Sequence, residues 1–587
     1  MEDLVGDGWA VVRDDVSRDD PATVIKQTIL AHNNVAPLTA IYCLGHVPVP
    51  YSGDYNPDGH ANHKGAWPAD GYYGDLNGSW TDSSVNNTTA SQTRNHNIPN
   101  DGKFDQSFFG SDIELQVGRV DFANMTAFSL SETELLRQYL NKSHAYKMGE
   151  IQVQMKAIID DNFGGFNGEA FAASAWKNFA PLLHPDNVTA GDYRGNLDTA
   201  SYIWVYGCGG GSFSTCNGIG STAQLAGDSL QGIFSCMFGS YFGDWDSNNN
   251  ILRAPLAQGT ILTNCWSGRP HWYFHHMGMG ENIGYSTRVS MNNSSSQYNT
   301  PLSFLAKLVG MGLMGDPSLR MYILESPSNL TAVDDGENNV ALTWTEASTD
   351  VLGYYIYRSS LFTGEYELLN ESPILGGSYI DACIDSSGTY YYQVRATRLQ
   401  ETPSGSYYNL SQSAMAQVDV AIQKPVAGFT FTTSSNLVNI SNISTQSTSW
   451  IWSFGDGSTF SGSTPPTHVY TIPGDYDITL IVSNGCFQDT FSVNLLLDFT
   501  GTKNFVENFV ISVSPNPGDD WYVLESKQPL SRAKVQVFDA DANKILDFPW
   551  ETGKNKLRFS MKENPSGIYF IQIRQGNKMG VLQVVKK

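Results

Sequence analysis

Tyr202-Ile-Trp-Val-Tyr206-Gly207-Cys208-Gly209-Gly210-Gly211 and Gly232-Ile-Phe-Ser235-Cys236-Met-Phe-Gly239-Ser-Tyr241 decide how the first half of the chain is read. Each is a short apolar run bounded by glycines. Such runs read as strands buried on both faces of an α/β sheet. Open α/β sheets form their sites beyond the carboxyl ends of adjacent strands. With strands over 202–206 and 232–235, Cys208 and Cys236 stand at that edge. A thiol there becomes a nucleophile when a neighbour lowers its pKa or takes its proton.

The surrounding sequence supports the same layering. Thr23 to His32 reads as a helix and Leu38 to Leu44 as a buried strand. Ser131 to Tyr146 is expected to be a helix capped by Ser131, with Leu135, Leu136, Tyr139 and Leu140 as its apolar stripe. Long Gly-, Asn- and Asp-rich stretches between these elements predict large loops.

Composition sets the outer bounds. The chain has 587 residues, more than one core holds, since single cores stop growing near ~250–300 residues. Apolar residues make up 41% and charged ones 16%, which excludes disorder for most of the chain. Lys plus Arg is 35 against 58 Asp plus Glu, a formal charge of −23. That balance, without a basic stripe, argues against a nucleic-acid partner. No run of about 18 apolar residues offers a membrane-spanning helix. Met1-Glu2-Asp3-Leu4 lacks the basic start and apolar stretch of a signal peptide, so the chain is expected to be processed or truncated at its start. The seven cysteines contain no CxxC pair, which argues against a structural zinc site and a disulfide scaffold.

Helical periodicity disappears near residue 325, and short alternating strands with turn residues take over. The expected organisation is an α/β domain over 1–324, then three all-β immunoglobulin-like sandwiches over 325–422, 423–500 and 505–587. Trp344 on an early strand and Tyr390-Tyr-Tyr-Gln-Val394 on a later one resemble a fibronectin type III domain, with Trp344 and Tyr390 as core and corner residues. Trp452-Ser-Phe454-Gly-Asp456-Gly457, His468-Val-Tyr470 and Gly474-Asp-Tyr476 resemble a PKD domain. Its Gly-Asp-Gly turn needs the positive φ that glycine tolerates. His468 reads as a packed structural histidine.

The last module carries Val513-Ser-Pro515-Asn-Pro517, Pro565-Ser-Gly567-Ile-Tyr569 and a closing Lys586-Lys587. It resembles the C-terminal sorting domain of type IX secretion substrates of Bacteroidota-type bacteria. That resemblance implies export across the outer membrane, the type IX machinery as a partner through 505–587, and an extracellular or surface location.

The domain over 1–324 resembles the gingipain-like cysteine peptidases of caspase-like fold. The elements are Leu44-Gly45-His46, Ala69-Asp70-Gly71-Tyr72-Tyr73-Gly74-Asp75, Val117-Gly118-Arg119, Cys236 through Gly239, and Gly315-Asp316-Pro317-Ser318-Leu319. The first strand and helix of that fold are expected to be missing before Met1. The resemblance implies Cys236 as nucleophile. The family's base is a His in a Gly-His-Gly-like turn, and here that turn is Gly207-Cys208-Gly209. A thiol serves poorly as the base for a second thiol, because its neutral form keeps its proton to about pKa 8.5. The first reading is therefore a pseudopeptidase or binding protein. The alternative is an active peptidase with Cys236 as nucleophile and a relocated base, His271 or His46. A glycan-binding adhesin is a further alternative, with Trp67 to Tyr73 and Trp266 to Trp272 either lining a groove or forming core.

Two smaller features complete the reading. Asp244, Asp246 and Asn248 place oxygen ligands at alternate positions, as in a calcium loop. The EF-hand pattern fails, with Asn249 where Gly belongs and Pro255 where Glu belongs. Calcium is the candidate ion for this loop, and no cofactor is required. Asp58, His60 and His63 form a candidate metal half-site, against plain polar packing. Cys208 with Cys236, or Cys208 with Cys216, are the candidate disulfides, given Cα atoms within ~7 Å.

Overall fold

A computed structural model describes residues 1–166, 168–266, 272–293, 307–348, 350–498, 511–576 and 578–587. The chain forms two compact units, one of 1–331, 343–377 and 391–417, the other of 332–342, 378–390 and 418–587.

The first unit is built on an eight-stranded sheet. Its strands in chain order are Ala40–Leu44 (β1), Gln116–Val120 (β2), Ala157–Asp161 (β3), Val188–Ala190 (β4), Tyr202–Cys208 (β5), Gly232–Phe238 (β6), Thr263–Trp266 (β7) and Gly312–Gly315 (β8). They lie side by side as β1-β2-β8-β7-β6-β5-β3-β4. The pairs β1–β2, β3–β4, β3–β5, β5–β6 and β6–β7 are parallel, and β7–β8 is antiparallel. Every residue of β6 is buried, as continuous apolar strands require.

Helices cover the sheet for reasons visible in the sequence. Glu132–Lys147 starts at Ser131, whose hydroxyl accepts from the Glu134 N–H while Glu134 reaches back, a complete capping box. Leu135, Tyr139 and Tyr146 face inward. The Tyr139 hydroxyl donates to the Leu262 carbonyl and accepts from the Asp316 N–H. The end of this helix is tied by charge. Lys147 Nζ lies 2.9 Å from Asp7 and 3.2 Å from Asp316, all three buried. Burial opposes the Lys147 charge, but the two carboxylates outweigh it and raise its pKa. Asp316 also accepts from the Ser318 N–H and hydroxyl, so the Gly-Asp-Pro-Ser-Leu segment has a structural task.

The β-modules repeat one device. On strands starting near a bend, a Tyr hydroxyl donates to the carbonyl four residues upstream: Tyr390 to Ser386, Tyr476 to Ile472 and Tyr569 to Pro565. Trp344 packs edge-on against Tyr354, with ring centroids 5.5 Å apart. In the second unit, Trp452 is fully buried among Phe429 and Phe491. Gly455 and Gly457 adopt φ of 82° and 92°, as the Gly-Asp-Gly turn requires. His468 stacks flat on Phe454 at 4.0 Å and bonds Asp456 at 2.8 Å, a packed structural histidine. The sheets of residues 511–560 and 534–586 close the chain. Lys586 is buried there, with its ammonium donating to the carbonyls of Met561 and Asn564. Only Lys587 of the terminal basic pair faces outward.

Cysteine pairing departs from expectation. Cys208, Cys216 and Cys236 are free and buried. The disulfide joins Cys383 to Cys486, with Cα atoms 5.0 Å apart. Among the described residues, no helix is long and apolar enough to cross a membrane.

Candidate functional site

Strands β5 and β6 run further than their apolar runs suggested, to Cys208 and Phe238. That displaces Cys236 from the strand end into the strand. It pairs with Tyr206 on β5 and Cys265 on β7. Its thiol lines a small cavity with Ala175, Asn178, Phe179, Trp272 and Phe274, beneath the helix Ala173–Leu183. Cys236 is 3% exposed. Burial, followed by the Cys236 thiol beside it, pushes Cys265 up, so this neighbour stays protonated.

Cys208 closes β5. Its thiol donates to Asp161 Oδ1 at 3.2 Å. Burial and then the Asp161 charge raise its pKa, so it is a neutral donor at physiological pH. In register it stands opposite Phe238.

The histidines gather elsewhere. His46 follows β1, and its Nδ1 lies 2.8 Å from Asp121 Oδ2, just after β2. The Asp121 bond raises the His46 pKa against the opposing effect of burial. Asp121 is buried, which disfavours its charge, yet His46, Arg253 and Arg119 hold its pKa below the usual range. Arg119 forks onto Asp70 at 2.7 and 2.8 Å. Asp70 and Arg119, two residues of the quoted elements, are thus one buried bidentate pair. His271 lies outside the described residues. His275 and His276 open a short turn at His275–Met279, and burial lowers the His275 pKa.

His46, Asp121 and Asp246 bring one ligand atom each within 4.8 Å of one another. Asp121 already faces cations, and Asp246 accepts from a neutral hydroxyl. Arg253 lies 3.5 Å and Arg119 3.9 Å from Asp121, and Tyr51 donates to Asp246 at 3.0 Å. Of the calcium-loop residues, Asp244 receives Arg94 Nε at 2.8 Å, Asp246 receives Tyr51, and Asn248 is exposed. Burial pushes the Asp244 carboxyl up to about 6. Asn249 adopts φ 49° and bonds the Ala127 N–H and Thr126 hydroxyl. These contacts pin the loop after β6 to the loop after β2.

Of the aromatic stretches, Trp67, Tyr73, Trp266 and Trp272 are buried core, and Trp67 stacks on Trp266 at 5.7 Å. One juxtaposition escaped the sequence reading: His60 Nε2 lies 2.7 Å from Ser240 Oγ, beyond the end of β6. The Asp58, His60, His63 cluster was visible in sequence, but its partner was not.

Comparison with known proteins bears on the β-modules. A PKD domain family model matches residues 424–494, and a secretion system C-terminal sorting domain model matches 512–587. No curated protein matches the chain. Among solved structures, an Fn3-like protein from Clostridium thermocellum is 25% identical over 14% of this chain and 86% of that one, with a TM-score of 0.12. A two-domain fibronectin type III segment of chicken tenascin is 19% identical over 29% of this chain and 98% of that one, with a TM-score of 0.15. The chain therefore carries a PKD domain and a type IX sorting domain, and it is a secreted or outer-membrane surface protein that engages the secretion machinery through its C-terminal module.

Proposed function

We propose that this is a displayed binding protein whose domain over 1–324, resembling a gingipain-like caspase fold, is a pseudopeptidase. The modules over 325–422 and 423–500 connect it in sequence to the sorting domain of 505–587. One observation carries this reading: Cys236 lies inside a fully buried strand between Tyr206 and Cys265, not at its mouth. A nucleophilic thiol needs both substrate access and a base to take its proton. Cys208, standing where the family keeps its histidine, is spent on Asp161. His46, His60 and His63 bond Asp121, Ser240 and Asp58 instead.

Thiol mapping tests the reading. The native protein is treated with iodoacetamide and each cysteine is followed by mass spectrometry. Cys236 should react no faster than Cys43, and both should react freely only on denaturation. Fast, selective labelling of native Cys236 would restore the active peptidase.

A further inference from the structure

Beyond the buried thiol, the turn after β6 presents a hydroxyl. The chain leaves Phe238 through Gly239, Ser240 and Tyr241. A Cβ on Gly239 would lie 2.5 Å from the Phe242 ring and 2.8 Å from the Gly209 carbonyl, so that position admits no side chain. Tyr241 takes φ 73°, a left-handed conformation that a non-glycine residue keeps only where surrounding contacts enforce it. The enforcing contact is Asp58, whose Oδ2 accepts the Tyr241 N–H at 3.1 Å. Asp58 also bonds His63 Nδ1 and accepts the His60 backbone N–H at 3.2 Å. One carboxylate therefore fixes both the strained turn and the loop facing it.

The product of that arrangement is the 2.7 Å contact between Ser240 Oγ and His60 Nε2, residues 180 positions apart. The His60 ring stacks on Tyr241 with centroids 5.7 Å apart and an interplanar angle of 23°. His60 is exposed and Ser240 half-buried, so substrate can reach both. Nucleophile and base lie within hydrogen-bond reach, as activated hydroxyl catalysis requires, with Asp58 holding the base's backbone N–H and Tyr241 stacked on its ring.

We propose that Ser240 and His60 are a nucleophile–base dyad acting on acyl esters. Ser240 Oγ attacks the ester carbonyl carbon as neutral His60 Nε2 takes the hydroxyl proton, and the carbonyl π pair moves onto its oxygen. That pair returns as the bond to the leaving alcohol breaks, and His60 hands the alcohol its proton. The acyl group is then an ester of Ser240. Water, losing a proton to His60, attacks this ester and releases the acid, while His60 returns the proton to Ser240. The step needs no oxidant, reductant or metal. It goes beyond the binding role and does not depend on the state of any thiol.

The test uses the full chain, a fluorophosphonate probe and mapping of labelled peptides. Ser240 should be the labelled serine. Ser240→Ala should remove the label, and His60→Gln should slow it by about 100-fold, the lower range for losing a general base. Both variants should unfold at the parent's temperature. Should Ser240→Ala fail to fold, the parent and His60→Gln rates still decide. Ser240 unlabelled in the parent, or labelled as fast in His60→Gln, would overturn the dyad. Iodoacetamide mapping of Cys236 reads out separately, so failure of either proposal is seen without the other.

Discussion

Asp121 shows how much of this molecule turns on single side chains. It sits one residue past β2, buried, where it receives His46 Nδ1 at 2.8 Å, the Ala123 N–H at 2.8 Å and Arg253. The hydrogen bond favours protonated His46, so the folded-state pKa lies above the ordinary value. A raised histidine pKa adds stability that is fully present below the unfolded value of ~6.5 and is lost as pH rises through the folded value. Asp121→Asn removes the charge and most of that preference. Following the His46 ring protons by NMR should show its midpoint moving down in Asp121→Asn, and an unmoved midpoint would contradict the contact. At this scale the sequence was partly legible. Leu44-Gly45-His46 and Val117-Gly118-Arg119 stand out in the sequence, but Asp121, which orients His46, carries no local signal. Its role depends on β1 and β2 lying side by side.

At the scale of elements, local rules performed well where the signal was local. The helix expected over Ser131 to Tyr146 spans Glu132–Lys147, because Ser131 and Glu134 form a capping box three residues apart. Ser131→Ala should cost about 1 kcal/mol, the usual worth of such a cap, measured by chemical denaturation. A change near zero would mean the cap is supplied by other contacts. Strand ends were less legible. The strand read over 232–235 continues through Met237 and Phe238, since β5 pairs as far as Cys208. Pairing with a neighbour, not hydrophobicity alone, sets where a strand stops. Moving that end by three residues turned Cys236 from an edge thiol into a core one.

At the scale of the whole molecule, two stretches of the chain, 424–494 and 512–587, match known families. In the second unit the Cys383–Cys486 bridge closes a separation of 103 residues. A bridge over so long a loop stabilises mainly by restricting the unfolded chain, typically by about 2–4 kcal/mol. A Cys383→Ser, Cys486→Ser double variant should unfold at lower temperature than the oxidised parent, and reductant should bring the parent to the same point. Equal unfolding temperatures in oxidised parent and variant would show the bridge to be without weight. The pair was within reach of the sequence, since these are the two cysteines of the β-modules.

The sequence by itself determined the alternation of helix and strand, the change of texture near residue 325, the Gly-Asp-Gly turn and the sorting module. Those follow from propensity, periodicity and turn chemistry, which act over a few residues. Only the tertiary structure decided that Cys236 is buried, that Asp58 holds the turn at Tyr241, and that His60 meets Ser240 across 180 positions. The physical reason is that such contacts form when separate strands and loops are packed against one another. No residue-level preference encodes which distant partner a side chain will find there.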